Sequence, residues 1–232
     1  MDMLSGEQIS EAGLPDWRKL GQGLHARFVV ADFAAGARFV ADVATAAEQV
    51  GHAPEVRIGR DFVDVRLVSD DAICRDDAGA EHEVEWVTQQ DLDLARRISD
   101  VAARHAAAAD PAAVTAIELV LDTADAARVA PVWSSLLTGD STSLGRGTIG
   151  DDVRDATRRV PILSFQRTEP HETPRQRFHL DVQLPHDVAE SRIAAAVAAG
   201  GVVVDDSRAP RTTVIADPDG NRACVGTFQP PA

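Results

Sequence analysis

Residues 48–56 read EQVGHAPEV. Within this short span a helix ends and a strand begins. Gly51 suits the left-handed conformation that closes a helix, and Pro54 biases Ala53 away from helical angles. His52 lies between them, one helical turn after Glu48, a spacing that lets the two side chains meet. Two readings of His52 follow. It is either an acid/base group oriented by Glu48, or a helix-end histidine that favours the last carbonyls of the turn.

The flanking chain extends both elements. DFAAGARFVADVATAAEQVG (32–51) places Phe33, Ala37, Val40, Val43, Ala44 and Ala47 near helical spacing behind Asp32, a candidate N-cap. VRIGRDFVDVRLVS (56–69) reads as two strands around a Gly-Arg-Asp turn, and GLHARFVVA (23–31) alternates like a third strand. A short opening helix is expected in GEQISEAGLPDW (6–17), and DDAGAEHE (76–83) is a polar turn between strand-like pieces. TQQDLDLARRISDVAARHAAA (88–108) is a strong helix opened by Thr88 and Asp91 at capping-box spacing, which by itself accounts for Asp91.

Beyond AAAADPAA (106–113) the rhythm restarts, so the expected division is 1–108, a linker over 109–113, and 114–232. TAIELVLDT, PILSFQRT and RFHLDVQL read as strands, with a helix expected over 124–139 and another in DVAESRIAAAVAAGG (187–201). The chain then closes on a hairpin about DPDGN (217–221). A similar strand-helix-strand passage begins near Ile117 and again near Phe178, the signature of a duplicated unit.

Composition narrows the function. The chain has 232 residues, 44% of them hydrophobic, enough for a core in each half. A net charge of −14 argues against a nucleic-acid partner, which requires a basic face. Two cysteines, Cys74 and Cys224, have no metal-type spacing and suit a reducing cytoplasm; MDMLSGEQIS lacks the marks of a secretory signal. No apolar run approaches membrane-spanning length, so no membrane partner is expected.

The first half resembles the pterin-4a-carbinolamine dehydratase family. The features that carry the likeness are Trp17, LHARFVVADF (24–33), Phe39, Glu48, GHAPEV, the strand ending at Asp70, and TQQDLDLARRI (88–98). The resemblance implies an α+β unit with a four-stranded antiparallel sheet, helices on one face, and homo-oligomerisation. It also implies dehydration of a 4a-hydroxytetrahydropterin, in which one proton goes to the leaving hydroxyl and another leaves the neighbouring ring nitrogen. The family places two adjacent histidines before the proline, a third at the end of the next strand, and an acid upstream. Carried over, the catalytic candidates are His52, Glu48, Asp70 and Asp91. Ala53 stands where the second histidine is expected and Asp70 where the third is. AICRDDAGAEHEVEW (72–86) lengthens the usual connection and includes His82.

The second half resembles the glyoxalase/bleomycin-resistance superfamily, through IELVLDTAD (117–125), WSSLL (133–137), ILSFQRT (162–168), RFHLDVQL (177–184) and DPDGNRACV (217–225). It implies duplicated βαβββ modules curled into a cup. Carried over, the cup positions are Glu118, Gln166, His179 and Cys224. These either line a small-molecule pocket or hold a divalent metal, for which Glu118 and His179 are the suitable donors; no other cofactor is implied. Three functions stay open: a dehydratase acting on a reduced pterin with an appended small-molecule cup, a non-enzymatic ligand-binding or oligomerisation protein, and a metal-dependent lyase or dioxygenase.

Overall fold

A computed structural model describes residues 1–124, 126, 161–169, 178–198, 201–216 and 222–228. The chain divides into two compact units, Met1–Thr115 and Ala116–Thr227, with Phe228 grouped with the first. The helix expected over 124–139 lies almost wholly outside the described residues, as do Trp133, His171, Asp217, Gly220 and Asn221. Among the described residues no helix is long and apolar enough to cross a membrane.

The first unit runs α1 (Gly6–Glu11), β1 (Arg18–Leu20), β2 (Gly23–Val29), α2 (Phe33–Val50), β3 (Glu55–Ile58), β4 (Phe62–Leu67), β5 (Ser69–Arg75), β6 (Glu81–Trp86), α3 (Gln89–Arg104) and β7 (Ala108–Ala109). Its main sheet is antiparallel in the order β1-β2-β4-β3, with β7 added on β2. The period-2 alternation turns Leu24, Ala26 and Phe28 of β2, with Val63, Val65 and Leu67 of β4, toward the helices. There they join Phe39, Val43 and Ala47 of α2 and Leu94, Ala95 and Ile98 of α3 in one core. Trp17, Phe28 and Phe39 stack edge to face through it, with centroids 6.1 and 5.3 Å apart. Gly36 lets α2 approach the sheet, since a Cβ there would stand 3.1 Å from Ile58 Cγ2 and 3.2 Å from Val63 Cγ2.

Local chemistry sets the helix ends. Asp32 Oδ1 accepts the Ala35 N–H at 2.7 Å to open α2. Gly51 closes it at φ 71°, where its own N–H reaches Glu48 O and the His52 N–H reaches back to Ala47 O. The candidate linker is held in the first unit: Ala109 pairs with Phe28, and the Asp110 N–H donates to Arg27 O at 2.8 Å. The lengthened connection forms the β5–β6 hairpin, whose tip is closed by Asp76; His82 Nε2 lies 3.1 Å from Asp76 Oδ2. His82 is thereby accounted for within the hairpin.

The second unit comprises β8 (Ala116–Thr123), β9 (Leu163–Arg167), β10 (Phe178–Leu184), α4 (Ala189–Ala198), β11 (Val202–Arg208), β12 (Thr212–Ala216) and β13 (Arg222–Thr227). Its sheet runs β11-β12-β13-β10-β8-β9. From β10 to β13 the order is a complete βαβββ module. Strand β10 lies parallel to β13 as β8 lies parallel to β9, and the pairs meet antiparallel at β8–β10. Leu184, Ala189 and Val225, with Val182, Ile193 and Ile215, form a small core between sheet and α4. Strand alternation therefore sends Glu118, Asp122, Gln166, His179, Asp181 and Cys224 to the opposite face.

Candidate functional site

The left-handed turn at Gly51 swings His52 out of the α2 axis, and Pro54 starts the chain toward β3. Its Nε2 lies 2.7 Å from Asp91 Oδ1, on a side chain with 0% exposure at the start of α3. The other oxygen, Asp91 Oδ2, accepts from Thr88 N at 2.8 Å, Ser69 Oγ at 2.9 Å and Thr88 Oγ1 at 3.2 Å. Asp91 thus caps its helix through one oxygen and holds the imidazole through the other. The hydrogen bond to Asp91 raises the His52 pKa above its ordinary value, outweighing partial burial; the Asp71 and Asp70 carboxylates add to the rise.

His52 and Glu48 line a cavity of about 440 Å³. Its wall is apolar, built by Val40, Val43, Ala44 and Ala47 from one face of α2 and by Val56 from β3, with Ala53 and Pro54 at the rim. Glu48 shares that lining with an exposed side chain, while the hydrogen-bond partner of His52 is Asp91. Asp70 is exposed, outside the lining, and reaches His52 only through its charge. Of the four dehydratase-type candidates, His52 and Asp91 pair directly, Glu48 shares the cavity lining with His52, and Asp70 stands apart. Ser69 completes the cluster without having been singled out by the sequence, where nothing distinguishes a serine beginning a strand from a solvated one.

In the second unit, strand register places Glu118, Gln166, His179 and Cys224 on one face. They do not form one ligand set. Gln166 is exposed on β9, at one end of the strand order, and is a neutral donor. The grouping found among the described residues is His179, Asp181 and Cys224, whose donor atoms lie within 4.8 Å of one another. Asp122 Oδ1 stands 3.2 Å from His179 Nδ1, and Asp181 Oδ1 stands 3.5 Å from Nε2. Burial, with Asp181 beside it, pushes the Cys224 thiol above its usual range. Asp122 and Asp181 were legible only as period-2 neighbours of Glu118 and His179 on strands whose pairing the sequence leaves open. The four residues implied by the superfamily resemblance do not fit a metal as a set, and no chemical step is assigned to one.

Comparison with known proteins matches the two units separately. Residues 2–101 match the family model for pterin 4 alpha carbinolamine dehydratase, and residues 118–226 match a glyoxalase-like domain. Two relatives carry the name "Putative pterin-4-alpha-carbinolamine dehydratase". That of Thermosynechococcus vestitus is 35% identical over 91 residues, 39% of this chain and 83% of the relative. That of Nocardia farcinica is 33% identical over 103 residues, 44% of this chain and 96% of the relative. A crystal structure of a transcriptional coactivator/pterin dehydratase from Brucella melitensis aligns at 26% identity over 44% of this chain and 99% of its own, with a TM-score of 0.36. Through residues 2–101 the chain belongs to the pterin-4a-carbinolamine dehydratase family, and a glyoxalase-like domain follows over residues 118–226.

Proposed function

We propose that the first unit dehydrates a 4a-hydroxytetrahydropterin, with His52 as its principal proton-transfer group. The observation that carries this reading is the His52–Asp91 pair at the edge of an apolar cavity. Asp91 engages Nε2, which leaves Nδ1 to meet substrate. As imidazolium, Nδ1–H protonates the 4a-hydroxyl; the C–O bond breaks, water leaves, and the ring-nitrogen lone pair forms the C=N bond of the quinonoid product. The N–H proton lost in that step passes to the Glu48 carboxylate on the same lining. The raised His52 pKa suits the acid role, because it keeps the imidazole protonated to higher pH. Asp70 tunes this charge from a distance. The second unit contributes a separate small-molecule site, and homo-oligomerisation, which would cover the sheet edge at β3, belongs to the same reading.

A coupled or stopped-flow assay of 4a-hydroxytetrahydropterin dehydration tests it. His52→Ala is expected to lower the catalysed rate by about 10²–10⁴-fold. A wild-type rate no faster than the uncatalysed reaction defeats the proposal. That outcome supports the second reading, a pterin-binding or oligomerisation unit, for which Ala53 and the exposed Asp70 speak because they leave one imidazole where the family pattern has three.

A further inference from the structure

We infer that Ser69 is a positioning residue for the His52–Asp91 pair: its hydroxyl holds the buried carboxylate as an anion, so that the proton shared by the pair stays on the imidazole. This role rests on the reading of His52 as the proton donor and adds the group that keeps that donor charged.

Asp91 is fully buried, and a carboxylate taken out of water resists ionisation unless donors replace the lost solvation. Beside an imidazole the proton then has two homes, His52 Nε2 and Asp91 Oδ1, which lie 2.7 Å apart. On Oδ1 it leaves His52 neutral, with an Nδ1–H too weakly acidic to protonate a leaving hydroxyl. Donors on the far oxygen oppose that move. Oδ2 receives Ser69 Oγ at 2.9 Å beside the Thr88 N–H at 2.8 Å and Thr88 Oγ1 at 3.2 Å. The Thr88 contacts belong to the opening of α3, whereas Ser69 comes from β5 and has no part in that cap. Neighbouring charges cannot replace it: Glu48 of α2 and Asp70 and Asp71 of β5 are exposed carboxylates and offer acceptors only. The strand is shaped around this serine. Ser69 and Ala72 are both buried although three residues apart, which regular alternation does not permit. A bulge in the β5–β6 pairing between them absorbs the odd residue and turns both Asp70 and Asp71 to solvent. The hydroxyl thus faces Asp91 while the two carboxylates stay outside. The hydrogen bond to Asp91 first, and the charges of Asp71 and Asp70 after it, hold the His52 pKa above its ordinary value.

The test uses the full chain with isotope-labelled histidine and aspartate, and follows the His52 ring nitrogens and the Asp91 carboxyl carbon by NMR from mildly acidic to alkaline pH. In wild type, both ring nitrogens are expected to carry protons below the His52 transition while Asp91 is ionised. Ser69→Ala should move the Nε2 proton onto Asp91 at the same pH, leave Nδ1 protonated, and lower the dehydration rate by about 10–100-fold, the effect of removing one hydrogen bond to a charged group. Ser69→Thr restores the hydroxyl and should return the signals and the rate toward wild type. Thr88→Val removes the other hydroxyl, keeps the N–H, and should shift the proton in the same direction as Ser69→Ala. A merely structural loss would lower stability without moving the proton. The role is overturned by a wild-type pair whose proton already sits on Asp91, by an Asp91 that stays ionised in Ser69→Ala, or by a folded Ser69→Thr that keeps the alanine signature. A wild type without dehydratase activity defeats only the proposed function, because the NMR signals read the proton and not the reaction.

Discussion

Replacing Asp91 by Asn separates the two tasks of that side chain. Asn is isosteric and keeps one carbonyl oxygen. The Thr88 N–H at 2.8 Å and Ser69 Oγ at 2.9 Å both seek an acceptor, so the amide oxygen turns to them and the NH₂ faces His52. The helix cap survives, and the carboxylate charge facing His52 Nε2 is lost. A hydrogen bond to a charged group contributes about 1.5–3 kcal/mol, so that is the expected loss of stability while His52 is protonated. The sign follows from the direction of the shift. Asp91 raises the folded pKa of His52, so its stabilisation is fully present below the unfolded value of about 6.5 and is lost as pH rises through the folded value. Urea unfolding of wild type and Asp91→Asn across that window should therefore show a gap that is largest in mild acid and shrinks toward alkaline pH. His52 observed by NMR should titrate at lower pH in the variant, because partial burial is then unopposed by the carboxylate. The alkaline limb of the dehydration profile, where the imidazolium is lost, should move to lower pH with it. A stability gap that is flat with pH, or an unmoved His52 titration, refutes this reasoning.

Other perturbations address the turn, the sheet and the missing histidine. Gly51→Ala meets no atom within 4 Å, so its cost is the left-handed backbone alone, about 1–2 kcal/mol by thermal or urea unfolding, with Gly51→Asn milder. His25 is partly buried beside Arg66 and Lys19, and its pKa is lowered to about 4 by burial first and those cations second. It is neutral in the fold, so its contribution is present above about 6.5 and is lost as pH falls toward the folded value; His25→Gln should make stability between pH 7 and 4 less pH-dependent. Ala53 is exposed at the cavity rim, so Ala53→His should fold normally and raise the dehydration rate above wild type. An unchanged rate with intact stability argues that a second imidazole at this position cannot reach the substrate.

Much of the framework was legible because it rests on local rules. Asp32 and Gly51 bound α2 where turn chemistry requires it, and the alternation of LHARFVV and FVDVRL marks the buried face of the sheet. The spacing of Thr88 and Asp91 marks the start of α3. Glu118, Gln166, His179 and Cys224 were named only by the superfamily resemblance, and they share one face through the register in which the strands pair. The expected linker shows the limit of such rules. Asp110-Pro111 punctuates the sequence, yet the residues just before it complete a sheet edge, because Ala109 and Asp110 find backbone partners on β2.

Within one helical turn the sequence offers His52 a partner, Glu48, and the chain alone determines that an imidazole stands at a helix end beside an apolar α2 face. It does not determine which carboxylate the imidazole meets. Asp91 is distant in sequence and already explained as a cap, and only the packing of α3 beside α2 brings its second oxygen within 2.7 Å of Nε2. The same holds for Asp181 and Asp122, whose approach to His179 depends on strand register and pairing. Period and propensity act over a few residues and are written locally. The charge and hydrogen-bonding environment that gives a side chain its chemistry is assembled from residues far apart in the chain, so tertiary structure decides it.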